Sequence, residues 1–219
     1  MFKHTHPYPP FIPENATKLI VGTLPPPRFT VRELKSDDVD FCYGSRDGQL
    51  WKILDQIFEL DLNFENTAEA VKERKDFLRE NGIGICDIVE FAWREKIDAS
   101  DLGMKEVELR NMLQILEENP RIDTLLFTGG NSKNGPEYFF RKHIQPTDIK
   151  LKRISNDVPR EHQFVLNGRT ITTISLTAPS GAANRAVGSM QLYKELKKKN
   201  PKMNTLDFRV LQYQEFFKK

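Results

Sequence analysis

Short apolar runs and longer amphipathic stripes take turns along this chain, and their periods predict alternating strands and helices. Lys18-Leu19-Ile20-Val21-Gly22 is an apolar run closed by glycine, the pattern of a strand buried on both faces. Three prolines follow at once, so no helix is expected before about Arg28. From Gly48 to Phe58 the residues Leu50, Trp51, Ile53, Leu54, Ile57 and Phe58 fall on one helical face, with Asp47 in N-cap position. A second helix is predicted from Thr67 to about Glu80, capped by Asn66 and stopped by Asn81-Gly82. Ile83 to Val89 reads as the second strand, Lys105 to Glu118 as a helix, Thr124 to Thr128 as the third strand, and Glu137 to Lys142 as a helix.

Phe164-Val165-Leu166 and Thr170 to Leu176 flank Asn167-Gly168, a type I′ hairpin signal. A helix from about Asn184 to Lys198 and a last one through Phe208, Leu211, Tyr213 and Phe216 complete the set. Residues 1–16 hold Pro7, Pro9, Pro10 and Pro13 and read as an extended arm on the domain. With no repeat and no linker composition, the 219 residues are expected to form one domain. Strands alternating with helices predict an α/β protein whose mostly parallel sheet is covered on both faces. In such sheets ligands bind beyond the carboxyl ends of the strands.

Composition narrows the chemistry. Cys42 and Cys86 are the only cysteines and form no CxxC pair, and the four histidines lack ligand spacing, so neither a metal nor another cofactor is expected. No stretch reaches the ~18 apolar residues of a spanning helix, and the first residues carry no secretory run. The expectation is a soluble cytoplasmic protein, monomeric and free of membrane contact. A net charge of +2 makes any nucleic-acid contact a local affair.

Four predicted strand ends carry unusual sequence: Gly22-Thr23-Leu24-Pro25, Cys86-Asp87, Gly129-Gly130-Asn131 and Ala178-Pro179-Ser180-Gly181. In Gly22-Thr23-Leu24-Pro25 the glycine admits a ligand to the backbone, and the prolines fix a path along which the Thr23 and Leu24 amides face a pocket; the alternative is a stiff connection. Phe41-Cys42-Tyr43-Gly44-Ser45-Arg46-Asp47 sets aromatic rings and small polar groups ahead of a helix, so that Phe41 or Tyr43 stacks on a base, or else belongs to the core with Asp47 as a cap. The glycine-rich run Thr128 to Gly135 reads as a long turn; a phosphate-holding loop is the alternative. In Ala178-Pro179-Ser180-Gly181-Ala182-Ala183-Asn184-Arg185 the small residues let a DNA backbone approach Ser180, Asn184 and Arg185; tight strand-to-helix packing is the alternative.

Taken in order, Gly22 to Pro25, Tyr43-Gly44 through Leu50-Trp51, Gly82 to Asp87, Leu125 to Gly129 and Pro179 to Arg185 resemble the uracil-DNA glycosylase superfamily, in particular its mismatch-specific and hypoxanthine-directed branches. The stretch Glu90 to Asp101, with Arg94 and Asp98-Ala99-Ser100, is similar to the polar segment of the hypoxanthine branch. The resemblance implies a three-layer α/β/α sandwich around a short, mostly parallel sheet. It also implies hydrolysis of the N-glycosidic bond of a deaminated base, uracil or hypoxanthine, flipped out of DNA. Two places depart from the pattern: Leu24 stands where a polar residue positions water, and Ala178 stands where a polar residue meets the departing base. Catalysis is then expected from Asp47, with Ser45 beside it, and base binding from Thr23, Leu24, Phe41, Tyr43 and Asp87. Asp87 either reads the base edge, caps a turn or pairs with Arg94. A protein that binds nucleic acid or a nucleotide without chemistry is the competing expectation.

Overall fold

The alternation in the buried strands divides the interior in two. The computed structural model describes residues 1–155 and 157–218. Strand β1 (Phe2–Thr5) lies in the arm, and β2 (Lys18–Val21) follows. Helices α1 (Pro27–Thr30), α2 (Leu50–Phe58) and α3 (Ala68–Glu80) precede β3 (Ile83–Ile85), β4 (Val89–Arg94) and β5 (Lys105–Leu109). Then come α4 (Met112–Glu118), β6 (Thr124–Phe127), α5 (Pro136–Ile144), β7 (Lys152–Ser155), β8 (Arg160–Leu166) and β9 (Arg169–Ser175). Helices α6 (Asn184–Ser189), α7 (Gln191–Lys199) and α8 (Thr205–Phe217) close the chain.

The main sheet runs β3-β2-β6-β9-β8-β7; its first four strands are parallel, and β8 and β7 are antiparallel additions. Ile20 of β2 and Leu126 of β6 face α2, α3 and α8, where Leu50, Leu54, Phe77 and Tyr213 pack. Leu19, Val21, Leu125 and Phe127 face the other way, onto Met112 and Leu116 of α4 and Phe139 and Phe140 of α5. This is the three-layer α/β/α arrangement with a short, mostly parallel sheet. Asn167 and Gly168 both adopt positive φ, 50° and 77°, as a type I′ turn requires between β8 and β9.

Several boundaries differ from the sequence pattern, each for a local reason. Helix α1 begins at Pro27, because a proline at the first helical position gives up no hydrogen bond. Thr67, not Asn66, caps α3 by accepting from the Ala70 amide. Gln49 is the N-cap of α2, and Asp47 is drawn instead to Arg28. The run from Ile83 is cut at Cys86-Asp87-Ile88, and β4 turns into a second, antiparallel sheet of order β1-β4-β5. The first half of the helix expected from Lys105 is strand β5; Lys105-Glu106-Val107-Glu108-Leu109 has the period of two, and Asn111 caps α4 by accepting from the Gln114 amide. Met190, in extended conformation, splits the helix expected from Asn184 into α6 and α7. The small sheet makes the arm part of the fold: β1 pairs with β4 over Phe2 to Thr5, and Phe11 bridges to Ile85.

Candidate functional site

A cavity of about 400 Å³ lies beyond the carboxyl ends of β2, β3, β6 and β9. Its walls come from Thr23 to Pro26, from Tyr43, Ser45, Asp47 and Gly48, from Ala178 to Ala182, and from Asp87, Ala99, Asp101 and Thr128. The volume lies within the roughly 300–1,000 Å³ of small-molecule sites.

Gly22 is the pivot. Its amide donates to Asp87 Oδ1 at 2.8 Å, and its carbonyl accepts from the Ile88 amide at 3.0 Å. A Cβ here would stand 1.9 Å from the Tyr43 hydroxyl and 2.8 Å from Asp87 Oδ1, so only glycine fits. The next two amides, of Thr23 and Leu24, bond to no described residue and remain for solvent or ligand. The Leu24 side chain packs on the core under α4 and α5.

Asp87 is 4% exposed at the cavity floor. Beside the Gly22 bond, its Oδ2 meets Nε2 of His6 at 3.0 Å. The other ring nitrogen of His6 lies against the Tyr8 backbone, so the arm fixes this carboxylate. The Tyr43 hydroxyl sits 2.9 Å from Thr128 Oγ1, and burial together with the Asp87 charge pushes its ionisation well above the usual phenol range. Tyr43 is therefore a neutral ring with a fixed tip. Phe41 lies in the core between Tyr8, Phe11 and Trp51 and is absent from the cavity wall.

Asp47 lies at the mouth with its side chain 68% exposed, 3.3 Å from Arg28 Nη2. The same guanidinium donates to Ser45 Oγ at 2.8 Å and grips the buried Asp38 with two bonds of 2.7 and 2.8 Å. Burial alone would raise the Asp38 carboxyl. The Arg28 bonds and the amides of Arg46 and Lys35 outweigh burial and bring it from 3.8 to about 2. A folded-state value below the unfolded one stabilises the fold at pH above about 4, and that contribution is lost as pH falls towards 2. Asp38→Asn is expected to cost about 2 kcal/mol at pH 7, with the gap to the unmodified protein closing by pH 2 to 3 in urea titrations. A gap independent of pH would show that the Arg28–Asp38 pair does not hold this loop.

Opposite, the turn 177–184 hangs on α8. Arg209 is fully buried; it donates to the carbonyls of Ala178 (2.8 Å), Ser180 (3.1 Å) and Thr205 (3.1 Å), and to Asn184 Oδ1 (2.9 Å). The Asn184 side-chain oxygen also accepts from Thr205, so this residue ties α6 to α8. Ser180 lines the cavity and bridges to Gly48, joining the two walls. Arg185 is exposed and has no ion pair among the described residues. The sequence offered no sign of Arg209, since nothing local marks an arginine within an amphipathic helix as buried.

Asp101 also escaped the sequence reasoning. It opens a single 3-10 turn (Asp101–Gly103) in the β4–β5 connection and lines the cavity next to Ala99. Its Oδ1 accepts from the Thr23 hydroxyl at 2.8 Å. Burial lifts its carboxyl above the usual range and the Asp87 charge adds to the lift, against the Thr23 bond and the Arg94 charge. Among the described residues no group of three or more His, Cys, Asp and Glu side chains is arranged to hold a metal ion. No helix among the described residues is long and apolar enough to cross a membrane.

Fold and cavity together define a doubly covered α/β protein with a cavity at the carboxyl edge of its parallel strands. No protein-family model matches the chain. Over 128 residues it is 29% identical to a hypoxanthine DNA glycosylase of Methanosarcina barkeri (strain Fusaro / DSM 804), across 57% of this chain and 71% of that protein. The solution NMR structure of a candidate uracil DNA glycosylase from Methanosarcina acetivorans shares the fold, with a TM-score of 0.53 over 95% of this chain and 99% of that one, at 17% identity. The chain is related to the uracil-DNA glycosylase superfamily.

Proposed function

We propose that this protein is a monofunctional DNA glycosylase that hydrolyses the N-glycosidic bond of a deaminated base, uracil or hypoxanthine, flipped out of DNA. The observation that carries this reading is the cavity itself. One floor carries a neutral tyrosine, two amides without protein partners and a fixed carboxylate, while one wall is made only of small residues. A flipped base stacks on Tyr43 and meets the Thr23 and Leu24 amides with its carbonyl oxygens. A carboxylate offers about four acceptor sites, so Asp87 keeps capacity for an N–H edge beyond its bonds to Gly22 and His6. Deaminated purines present such an edge. The backbone on either side of the base runs along Ser180, Gly181 and Ala182, with Arg185 free for phosphate and Asn184 holding the turn. No lysine is among the lining residues, so strand cleavage through a Schiff base has no nucleophile in the cavity.

The apolar side chains of Leu24 and Ala178 in the wall favour a second reading, a protein that binds the same base without cleaving it. Excess protein incubated with single- and double-stranded oligonucleotides carrying uracil, hypoxanthine or xanthine separates the two. Alkali-labile sites are expected at hypoxanthine or uracil, with no borohydride-trapped adduct. Intact binding with no cleavage of any base over hours would overturn the enzymatic reading.

A further inference from the structure

We propose that Asp101 is the catalytic carboxylate of this site, its free Oδ2 taking the proton of the water that attacks the sugar. The inference rests on the glycosylase reading above and goes beyond it by choosing among the three carboxylates in the cavity wall, Asp47, Asp87 and Asp101. Asp87 has one oxygen engaged by the Gly22 amide and the other by His6. Asp47 stands in solvent at the mouth, with one oxygen drawn outward by Arg28. Asp101 is the carboxylate withdrawn from the mouth that still keeps an oxygen over: its Oδ1 accepts from the Thr23 hydroxyl, while its other oxygen has no bond among the described residues.

Three elements hold Asp101 still. Thr23, from the loop after β2, fixes the carboxylate plane. Asn134, before α5, adopts a φ of 63° and donates from its amide to the carbonyls of Asp101 (2.8 Å) and Met104 (3.2 Å). Arg94, at the end of β4, is buried and donates to the Ser100 carbonyl at 2.6 Å, while its Nε reaches His4 of β1 at 2.7 Å. The charged groups facing the carboxylate are Arg94 from β4 and Asp87 from the β3–β4 connection. Burial makes the carboxylate more basic than one in water, which suits a proton acceptor near neutral pH. A fixed negative charge beside the ring oxygen and C1′ also stabilises the cation-like sugar.

In the step itself the water oxygen forms a bond to C1′, and the bond from C1′ to the base nitrogen breaks with its electron pair leaving on the base. Asp101 Oδ2 takes one water proton, which passes on to the base. The products are an abasic deoxyribose bearing the new hydroxyl and the neutral free base.

The test is single-turnover cleavage by Asp101→Asn, which keeps an Oδ1 for Thr23 but accepts no proton. The rate is expected to fall roughly 10²–10⁴-fold. Affinity for a 2′-fluoro-stabilised, uncleaved substrate is expected to stay within about threefold of the unmodified protein, because general-base loss leaves binding intact. Rate in the unmodified protein should rise with pH through the lifted Asp101 ionisation, and this limb should vanish in Asp101→Asn. Asp101→Glu, with its carboxylate on a longer arm, keeps the limb at a reduced rate. Cleavage by Asp101→Asn above a tenth of the original, or an unchanged acidic limb, overturns the assignment and leaves the glycosylase reading standing. An unmodified protein inert on every base removes that reading instead.

Discussion

Gly22→Ala is expected to abolish base excision, lowering single-turnover cleavage by more than about 100-fold, the scale of losing an oriented catalytic group. The added methyl would fall 1.9 Å from the Tyr43 hydroxyl and 2.9 Å from its Cζ, so the ring must leave its place. Tyr43 has little room to yield. It sits at a φ of 57° in a tight loop closed by hydrogen bonds from Val39 to Gly44 and from Gly44 to Phe41. The same methyl would crowd Asp87 Oδ1 at 2.8 Å, the acceptor of the Gly22 amide. Overpacking of this kind costs about 1–3 kcal/mol, which a urea titration resolves. Tyr43→Phe placed in the Gly22→Ala background removes the closest atom and is expected to restore part of the lost stability. Cleavage by Gly22→Ala within about twofold of the original would show that the base pocket does not depend on this contact.

Arg209→Met is expected to destabilise the fold by about 2–4 kcal/mol, because it removes charge-assisted hydrogen bonds to four acceptors at once. The methionine fills much of the volume, so the loss comes from the charge-assisted bonds to the carbonyls of Ala178, Ser180 and Thr205 and to Asn184 Oδ1, which are left with neutral donors such as the Ser180 and Ala183 amides and the Thr205 hydroxyl. Arg209 has no carboxylate partner among the described residues; the backbone of the turn and of α8 and the Asn184 side chain provide its acceptors. Burial lowers its ionisation, yet an arginine stays charged, so these bonds remain charge-assisted. With the turn released, the small-residue wall from Ala178 to Ala182 loses its position opposite Tyr43, and DNA affinity is expected to fall with stability. A loss under about 0.5 kcal/mol in urea unfolding would mean that Tyr213 and Gln212, which bond to Thr177 from the same helix, hold the turn by themselves.

Both residues carry the site through contacts made far along the chain, and that is where sequence reasoning was weakest. Asp47 stood in a pattern of aromatic, glycine and small polar residues that pointed to a helix N-terminus, but Arg28 draws it outward to the mouth. Phe41 shared the pattern and went to the core, because Tyr8 and Phe11 from the arm cover it. Tyr43, Thr23, Leu24, Asp87 and Ser180 all meet at one cavity. Asp101 lay at the edge of the Glu90 to Asp101 stretch, where nothing distinguishes it from Asp98 by type or spacing. What sets it apart is the Thr23 hydroxyl, brought up by β2, which binds its carboxylate.

The sequence by itself determined what short-range forces decide. Buried strands show as apolar runs at β2 and β6, α3 shows its stop at Asn81-Gly82, and Asn167-Gly168 sets the β8–β9 hairpin through backbone sterics. The glycine-proline loop after β2 was legible for the same reason: Gly22 carries no Cβ to hold neighbours off, and Pro25 to Pro27 fix their own φ. Tertiary structure decided the order β3-β2-β6-β9-β8-β7, the transfer of β4 to a second sheet, and the placing of Asp101 beside Thr23 in the cavity wall with Asp47 at the mouth. Each of these depends on which groups are desolvated together. Burial fixes both a carboxylate's basicity and an arginine's partners, and burial is set by residues tens of positions away in the chain.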